Sequence, residues 1–172
     1  MVFILVFFSA WVNLKINSDN TTQLQNEEQI VVNPLNGNNL VAVWRDFRLG
    51  YRRVGVGYSL DGGKTWHDTL FEGTPYTRDS DPGLTVGADG TFYAVVLRFE
   101  STSQPNGLFV YRSTDNGISW DGPYTVIDQV PGVFEDKELI GCDRTSSPYS
   151  GNLYVPLGQV RGDHPDYECP IY

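Results

Sequence analysis

Basic residues are scarce in this sequence: 12 lysines and arginines face 21 aspartates and glutamates, which gives a formal net charge of −9. Nucleic acids are polyanions, so this imbalance argues against a nucleic-acid partner. No basic run is present that would hold an anionic membrane surface. The acidity by itself indicates solubility rather than a particular partner.

Cysteine is equally rare, with only Cys142 and Cys169 among 172 residues. Their spacing matches no zinc or redox motif, and we therefore predict neither a metal nor a cofactor. Cys142 ends an apolar run and is typical of a small core residue. Pairing of the two thiols in an oxidising compartment is the alternative.

Long apolar stretches are absent apart from residues 1–12. This run is shorter than the roughly 20 residues that a bilayer-spanning helix needs, so no membrane span is predicted. It resembles the hydrophobic region of a secretory signal, although no lysine or arginine precedes it. Residues 1–14 are thus a signal peptide or an apolar N-terminal strand. A signal would make the protein secreted, periplasmic or exposed at the cell surface.

Glycine, proline and aromatic residues are plentiful, with 18 Gly, 10 Pro and 13% aromatic residues. This composition suits short strands joined by tight turns. Short runs rich in Val, Tyr and Phe predict strands, and several are apolar on successive residues, which indicates burial on both faces. We find no convincing amphipathic helix and predict an all-β fold.

An eight-residue motif, SxDxGx[ST]W, occurs twice, and its copies start 54 residues apart (113 minus 59). A period near 50 residues is the size of one propeller blade. Similar apolar runs precede each copy, and a further pair of runs starts a third unit. The units cover about 27–72, 80–128 and 136–172, each predicted to hold four antiparallel strands, the last one incomplete. The motif residues are Ser59, Asp61, Gly63, Thr65 and Trp66, then Ser113, Asp115, Gly117, Ser119 and Trp120.

The motif is typical of a tight hairpin turn. Its aspartate is expected to accept backbone N–H groups within the turn, and its glycine to supply positive φ. The first serine and the later Ser or Thr are expected to hydrogen-bond to each other across the strands. The tryptophan is expected to bury its ring between neighbouring sheets. These roles are structural and predict neither a metal site nor catalysis.

The two motifs resemble the Asp-box (BNR) repeats of sialidases and related proteins. The resemblance implies that each box joins the third and fourth strands of a blade, on the outer rim and away from the active site. Residues 15–172 would then form about two and a half blades of a six-bladed propeller. Six blades need roughly 300 residues. We therefore expect a truncated chain, with missing blades from the rest of a parent protein or from self-association.

Ligands of propellers usually lie over the central channel, near which the first strands begin. Acidic residues open each predicted first strand, and arginines follow the second strands. The resemblance implies three arginines for the carboxylate of sialic acid, a Tyr–Glu nucleophile pair and an Asp acid/base. The Arg-Ile-Pro opening of sialidase domains is absent, and no Tyr or Glu matches the nucleophile, so no catalytic residue is predicted. The candidate ligand-facing residues are Arg45, Asp46, Arg48, Asp81, Arg98 and Asp136.

Two functions fit this sequence. In the first, the parent protein is a sialidase-like glycoside hydrolase that removes a terminal sugar, and this part of it is inactive alone. In the second, the propeller is a non-catalytic scaffold that binds a protein or a glycan. The candidate residues also have structural interpretations. The arginines would then form salt bridges that stabilise the fold, and the acids would be polar residues at exposed strand starts. A carbohydrate is the predicted ligand.

Overall fold

The computed structural model of the chain describes residues 13–72, 76–100 and 106–161. Strands and turns account for all regular structure in these ranges, which contain no helix, as the composition predicts. Nor does this part of the chain hold any helix that could cross a membrane. The apolar run 1–12 and Cys169 lie outside the described residues, so the signal peptide and the thiol pairing stay predictions.

The first sheet contains the first copy of the motif. Its strands are β1 (Gln25–Asn33), β2 (Asn36–Asp46), β3 (Arg53–Ser59) and β4 (His67–Leu70). Each strand pairs antiparallel with the next, in the order β1-β2-β3-β4. The motif connects β3 to β4, as the resemblance implies.

The second sheet repeats this pattern. Its strands are β5 (Arg78–Val86), β6 (Phe92–Phe99), β7 (Asn106–Ser113) and β8 (Asp121–Asp128), paired antiparallel in that order. The second motif again lies between the third and fourth strands. Both first strands begin earlier than the apolar runs that predicted them, because their opening residues are polar but still pair with the second strand.

A third repeat supplies one hairpin in the described residues. Strand β9 (Val133–Asp136) pairs with β12 (Gly158–Arg161), and β10 (Gly141–Cys142) pairs with β11 (Leu153–Tyr154). These short ladders are the two parts of an interrupted first and second strand. The described residues thus hold two complete four-stranded sheets and one hairpin, which do not make a closed ring.

The middle strands of the second sheet, β6 and β7, are buried on both faces, which explains the successive apolar residues of β6. Phe92, Ala94 and Val96 pack against the first sheet in a cluster with Val41 and Val54. The intervening residues of β6, with Leu108 and Val110, pack against Phe134 and Ile140 of the third repeat. Alternate residues of a strand point to opposite faces, so one continuous apolar run serves two interfaces.

The sheets approach each other most closely at their first strands. β5 crosses the face of the first sheet and contacts β1, β2 and β3. β9 and β10 repeat this arrangement on the second sheet, where β9 contacts β7 and β10 contacts β5. The fourth strands β4 and β8 have no comparable contact with each other. First strands therefore form the inner edge of the stack.

Candidate functional site

The first strand of each repeat carries one bulge residue with positive φ: Glu27 (60°), Asp81 (47°) and Lys137 (52°). In β1 and β5 the pairing with the second strand shifts register at this point. In the third repeat the residue separates β9 from β10. Positive φ is uncommon outside glycine, and bulges re-aim side chains. Three repeats therefore present a charged side chain at equivalent places on the inner edge.

Arg45 on β2 connects the first two bulges. Its Nη1 lies 2.8 Å from Glu27 Oε1 and 3.9 Å from Asp81 Oδ1. Nε donates a hydrogen bond to Asn26 Oδ1 at 2.8 Å, and Nη1 donates to Ser80 Oγ at 3.1 Å. The guanidinium group thus bridges the inner edges of the first and second sheets.

The carboxyl groups of Glu27 and Asp81 are neighbours, because the backbone N–H of Asp81 donates a hydrogen bond to Glu27 Oε2 at 3.0 Å. Burial, followed by the hydrogen bond and repulsion from Asp81, raises the pKa of Glu27. Burial acts in the same direction on Asp81, but hydrogen bonds from Glu27 and Ser80 and the attraction of Lys137 outweigh it and lower the pKa. Such an arrangement lets one carboxyl hold a proton while its neighbour stays ionised.

The third repeat adds three charged residues beside this pair. Lys137 Nζ lies 3.3 Å from Asp81 Oδ2, with its side chain 72% exposed. Burial and then repulsion from Asp81 raise the pKa of Asp136. Glu138 is buried, with 3% of its surface exposed, close to the backbone of Leu97 on β6. Burial, reinforced by Asp81 and Asp136, raises the pKa of Glu138 well above its usual range. We call these residues the inner-strand cluster: Glu27, Arg45, Asp81, Asp136, Lys137 and Glu138.

Three of the six candidate ligand-facing residues, Arg45, Asp81 and Asp136, belong to the cluster. Asp46 and Arg48 instead belong to a buried network. Arg48 Nη2 lies 2.7 Å from Asp46 Oδ2 and 2.8 Å from Asp68 Oδ2. Asp46 is fully buried and also accepts the indole N–H of Trp44 at 2.7 Å. This network ties the connection after β2 to β4.

Arg98 is also fully buried, between the first and second sheets. Its Nε lies 3.1 Å from Asp79 Oδ1, and Arg53 Nε lies 2.9 Å from Asp79 Oδ2. Its guanidinium carbon is 5.8 Å from the ring centre of Phe109 and 5.3 Å from that of Tyr111. Asp46, Arg48 and Arg98 therefore make the structural salt bridges that the sequence allowed as an alternative, and the structure does not bring them into the cluster.

The Asp-boxes show most of their expected turn chemistry, with two corrections. Trp66 and Trp120 are half-buried rather than buried, and of the two only Trp120 packs against a core cluster of the described residues. The second correction concerns the hydroxyl groups. In the first box Asp61 accepts the backbone N–H of Thr65 at 2.9 Å, and Gly63 has φ of 85°. Ser59 and Thr65 were expected to bond directly. Instead both hydroxyls donate to Asp61, at 2.9 and 2.7 Å. The carboxylate offers two oxygens between the strands, so it takes one hydroxyl on each. The second box repeats this bridge.

In the second box the hydroxyls of Ser113 and Ser119 donate to Asp115 at 2.8 and 2.6 Å. Gly117 has φ of 86° and donates its N–H to Ser113 Oγ at 3.0 Å. Both boxes lie beyond the third strands, away from the inner edge. In the described ranges no group of three or more His, Cys, Asp or Glu side chains is arranged to hold a metal ion.

Glu27, Lys137 and Glu138 are cluster residues that the candidate set omitted. Glu27 is one of the acids that open a predicted first strand, but nothing in the neighbouring sequence marks it as a positive-φ bulge. Lys137 and Asp81 share a register position once β5 and β9 are aligned by their pairing partners. Aligning the repeats by strand pairing rather than by apolar runs would have identified it.

No protein-family model matches this chain, and no curated protein matches its sequence. Solved structures do match. The Hadza microbial sialidase Hz136 is 18% identical, with a TM-score of 0.55 over 81% of this chain and 33% of its own. A protein of unknown function from Dyadobacter fermentans is 18% identical, with a TM-score of 0.48 over 84% of this chain and 53% of its own.

The chain thus spans about a third and about half of the lengths of these two proteins. At such low identity the match to the sialidase establishes a likeness of fold over the superposed region, and nothing about activity. The match to the sialidase structure therefore supports the antiparallel four-stranded sheets that the Asp-box resemblance implies.

Proposed function

We propose that this chain contributes consecutive blades to a sialidase-like β-propeller, six-bladed when complete, whose parent protein hydrolyses a terminal sugar of a glycan. Three observations support the architecture: two repeated four-stranded sheets, a third hairpin in the same register, and first strands gathered at one edge. The fold likeness to a sialidase agrees with it. In a closed ring the first strands would surround the central channel.

The inner-strand cluster carries the functional part of the proposal. Sugars are recognised by few, well-placed polar groups that exchange hydrogen bonds with hydroxyls. Glu27 and Asp81 supply acceptors and Arg45 supplies donors, and their side chains are 24%, 11% and 16% exposed. These groups are held by bulges and ion pairs, which fixes their geometry before a ligand arrives. A glycan entering the channel would meet them first.

Hydrolysis sets a stricter requirement than binding. Glycosidases hold two carboxyls about 5–10 Å apart on either side of the scissile bond. Glu27 accepts the backbone N–H of Asp81, and both carboxyls lie beside the same Arg45 Nη1, at 2.8 and 3.9 Å. They therefore lie on one side of a ligand rather than on either side of a scissile bond. A hydrolytic site needs one of them, or Asp136, to work with a carboxyl from another blade.

This spacing favours a second candidate function, a non-catalytic propeller that binds a glycan or a protein through the same cluster. Binding requires only that donors and acceptors match the ligand, and a closely spaced carboxyl pair meets that requirement. For both functions, we still predict that the protein is secreted, periplasmic or exposed at the cell surface.

Release of a fluorophore from a sialoside and from a panel of neutral glycosides, by the full-length protein, tests the first function. We expect turnover of at least one glycoside, and its loss in Arg45→Gln. The matched control is Arg112→Gln, because Arg112 is an exposed arginine paired with Asp121 outside the cluster. Glycan binding without turnover would replace the first function by the second. Neither turnover nor binding would overturn both.

A further inference from the structure

Glu135 on β9 is a fully buried acid that the candidate site does not use. Gln159 on the paired strand β12 donates Nε2 to Glu135 Oε1 at 3.3 Å, and Glu135 Oε2 has no hydrogen-bond partner among the described residues. Asn106 on β7 lies beside it, but both polar atoms of its amide bind the backbone of Glu135, at 2.7 and 3.2 Å. Within the described ranges, one long bond from an amide is therefore what the carboxyl group receives.

Asp79 is the equivalent acid of the second repeat, because both acids lie two positions before the bulge of their first strand (81 minus 79, and 137 minus 135). Asp79 is also fully buried. Arg53 Nε lies 2.9 Å from Asp79 Oδ2, and Arg98 Nε lies 3.1 Å from Asp79 Oδ1. Two guanidinium groups thus compensate the charge of this buried carboxyl.

The third repeat has neither arginine at the equivalent positions. Strand pairing places Gln159 where the second repeat has Arg98, and Gly107 where the first sheet has Arg53. No larger residue fits at Gly107 without a shift, because its Cβ would lie 2.7 Å from a carboxylate oxygen of β8. The carboxyl of Glu135 therefore has no guanidinium group in contact with it in the part of the chain that the structure describes.

Ionisation of Glu135 is unfavourable in these surroundings, because a buried carboxylate without a paired cation is costly. Burial raises the pKa of Glu135 above 4.5, and the bond from Gln159 and the attraction of Arg161 only partly offset it. Arg161 on β12 acts from a distance, through Nη2 at 3.4 Å from Gln159 Oε1, and β7 presents the uncharged Asn106. A raised carboxyl pKa contributes stability below the unfolded value of 4.5, and this stability is lost as pH rises through the folded value.

We propose that Glu135 makes the docking of the third repeat on the second sheet dependent on pH: the hairpin of β9 and β12 is docked while Glu135 is protonated and loosens when Glu135 ionises. Lys137 follows on the same stretch and lies 3.3 Å from Asp81 Oδ2, so loosening would also release this side of the inner-strand cluster. The inference concerns the fold around the cluster and not its ligand, and it applies to both candidate functions.

Hydrogen exchange of the full chain at about pH 5 and about pH 8, corrected for intrinsic exchange rates, tests this device. We expect the amides of Val133–Asp136 and Gly158–Arg161 to lose about tenfold protection at the higher pH, as the cost of one uncompensated buried group predicts. The amides of β6 should keep their protection. Glu135→Gln should lose less protection than the unchanged chain, because a neutral amide of the same shape needs no cation.

Glu28→Gln is the matched control, since Glu28 is an exposed glutamate on β1, and it should behave like the unchanged chain. Glu138 is also buried with a raised pKa, but it is present with and without Glu135→Gln, so the difference reports Glu135 alone. NMR titration of the Glu135 carboxyl carbon adds a measurement that needs no variant, with an expected midpoint above 4.5. A midpoint at or below 4.5, or an undiminished loss of protection in Glu135→Gln, would overturn the inference.

Discussion

The two Asp-box hairpins have nearly the same internal hydrogen bonds but very different surroundings. In each, the first serine accepts the N–H of the positive-φ glycine, at 2.9 Å in the first box and 3.0 Å in the second. In each, the indole N–H donates to the carbonyl of that glycine, at 3.0 and 3.2 Å. The motif therefore specifies the hairpin completely, independent of what packs on it.

Within the described residues, the second box docks on another sheet and the first does not. The Asn116 carbonyl accepts a hydrogen bond from Asn39 of the first sheet at 2.9 Å. The Trp120 ring meets Phe71 edge-on, with centres 5.3 Å apart and an interplanar angle of 89°. By repeat register Trp66 faces away from the second sheet, and no sheet covers it within the described residues. The same sequence motif thus gives a surface turn in one place and an interface in the other.

Replacing each tryptophan by alanine should show most clearly that one hairpin packs on a sheet and the other does not. Trp120 is also half-buried, but its ring packs against the core between the two sheets. Trp120→Ala opens a gap against Phe71 and should lower the free energy of unfolding by about 3 kcal/mol, the lower end of the range for a buried tryptophan. Trp66→Ala removes a half-buried ring with no sheet opposite and should lower it by about 1–2 kcal/mol. Urea denaturation of both variants measures the values. Equal losses would mean that Trp66 is also covered, and the contrast between the boxes would fail.

Glycine substitutions should show the same contrast at a smaller scale. Both glycines have positive φ, so alanine costs about 1–2 kcal/mol at either position. At Gly117 a Cβ would also lie 2.5 Å from Val41 Cγ2 and 3.3 Å from Tyr58 Cβ, whereas at Gly63 the nearest atom is 3.8 Å away, in Trp66. Overpacking adds about 1–3 kcal/mol. Thermal unfolding of Gly117→Ala and Gly63→Ala should differ accordingly, and a larger effect at Gly63 would contradict the docking of the second box.

Much of this fold could be predicted because its signals are local. The turn chemistry of Asp61 and Gly63 is written in consecutive residues, and the apolar run of β6 announces a strand buried on both faces. The early starts of β1 and β5 were missed, since their polar openings, such as Asp79, are buried by ion pairs with distant arginines. A sequence pattern predicts the burial of apolar residues far better than it predicts the burial of charged residues that pair with each other.

The sequence predicted where the candidate site lies, but not which residues form it. The acids before each first strand do gather at one edge, because the repeats place them in register. Arg45 and Arg98 looked equivalent by following the second strands, yet Arg45 pairs opposite Asn26 and Arg98 opposite Asp79, one register step apart. Such a step moves a side chain to the other face of the sheet. One arginine therefore joins the inner edge while the other enters the core.

The smallest expected effect is on the stability of the protein in acid, which depends on the aspartate of each box. Hydrogen bonds from the backbone and then the hydroxyl of Thr65 lower the pKa of Asp61 from 3.8 to about 2. For Asp115, burial opposes the shift, but bonds from Ser119 outweigh it and the pKa is again lowered. A depressed carboxyl pKa contributes stability above the unfolded value of 3.8, which is lost as pH falls towards about 2.

Asp61→Asn should therefore flatten the fall of the unfolding temperature between pH 4 and about pH 2, the window set by these pKa values. Asp115→Asn should flatten it too, and should also lower stability at neutral pH, because its hairpin bears on the first sheet. Asp121→Asn, in an exposed ion pair with Arg112, serves as the control. An unchanged acid profile in Asp61→Asn would show that the first hairpin does not hold its carboxylate, and that neither box can be treated as a self-sufficient turn.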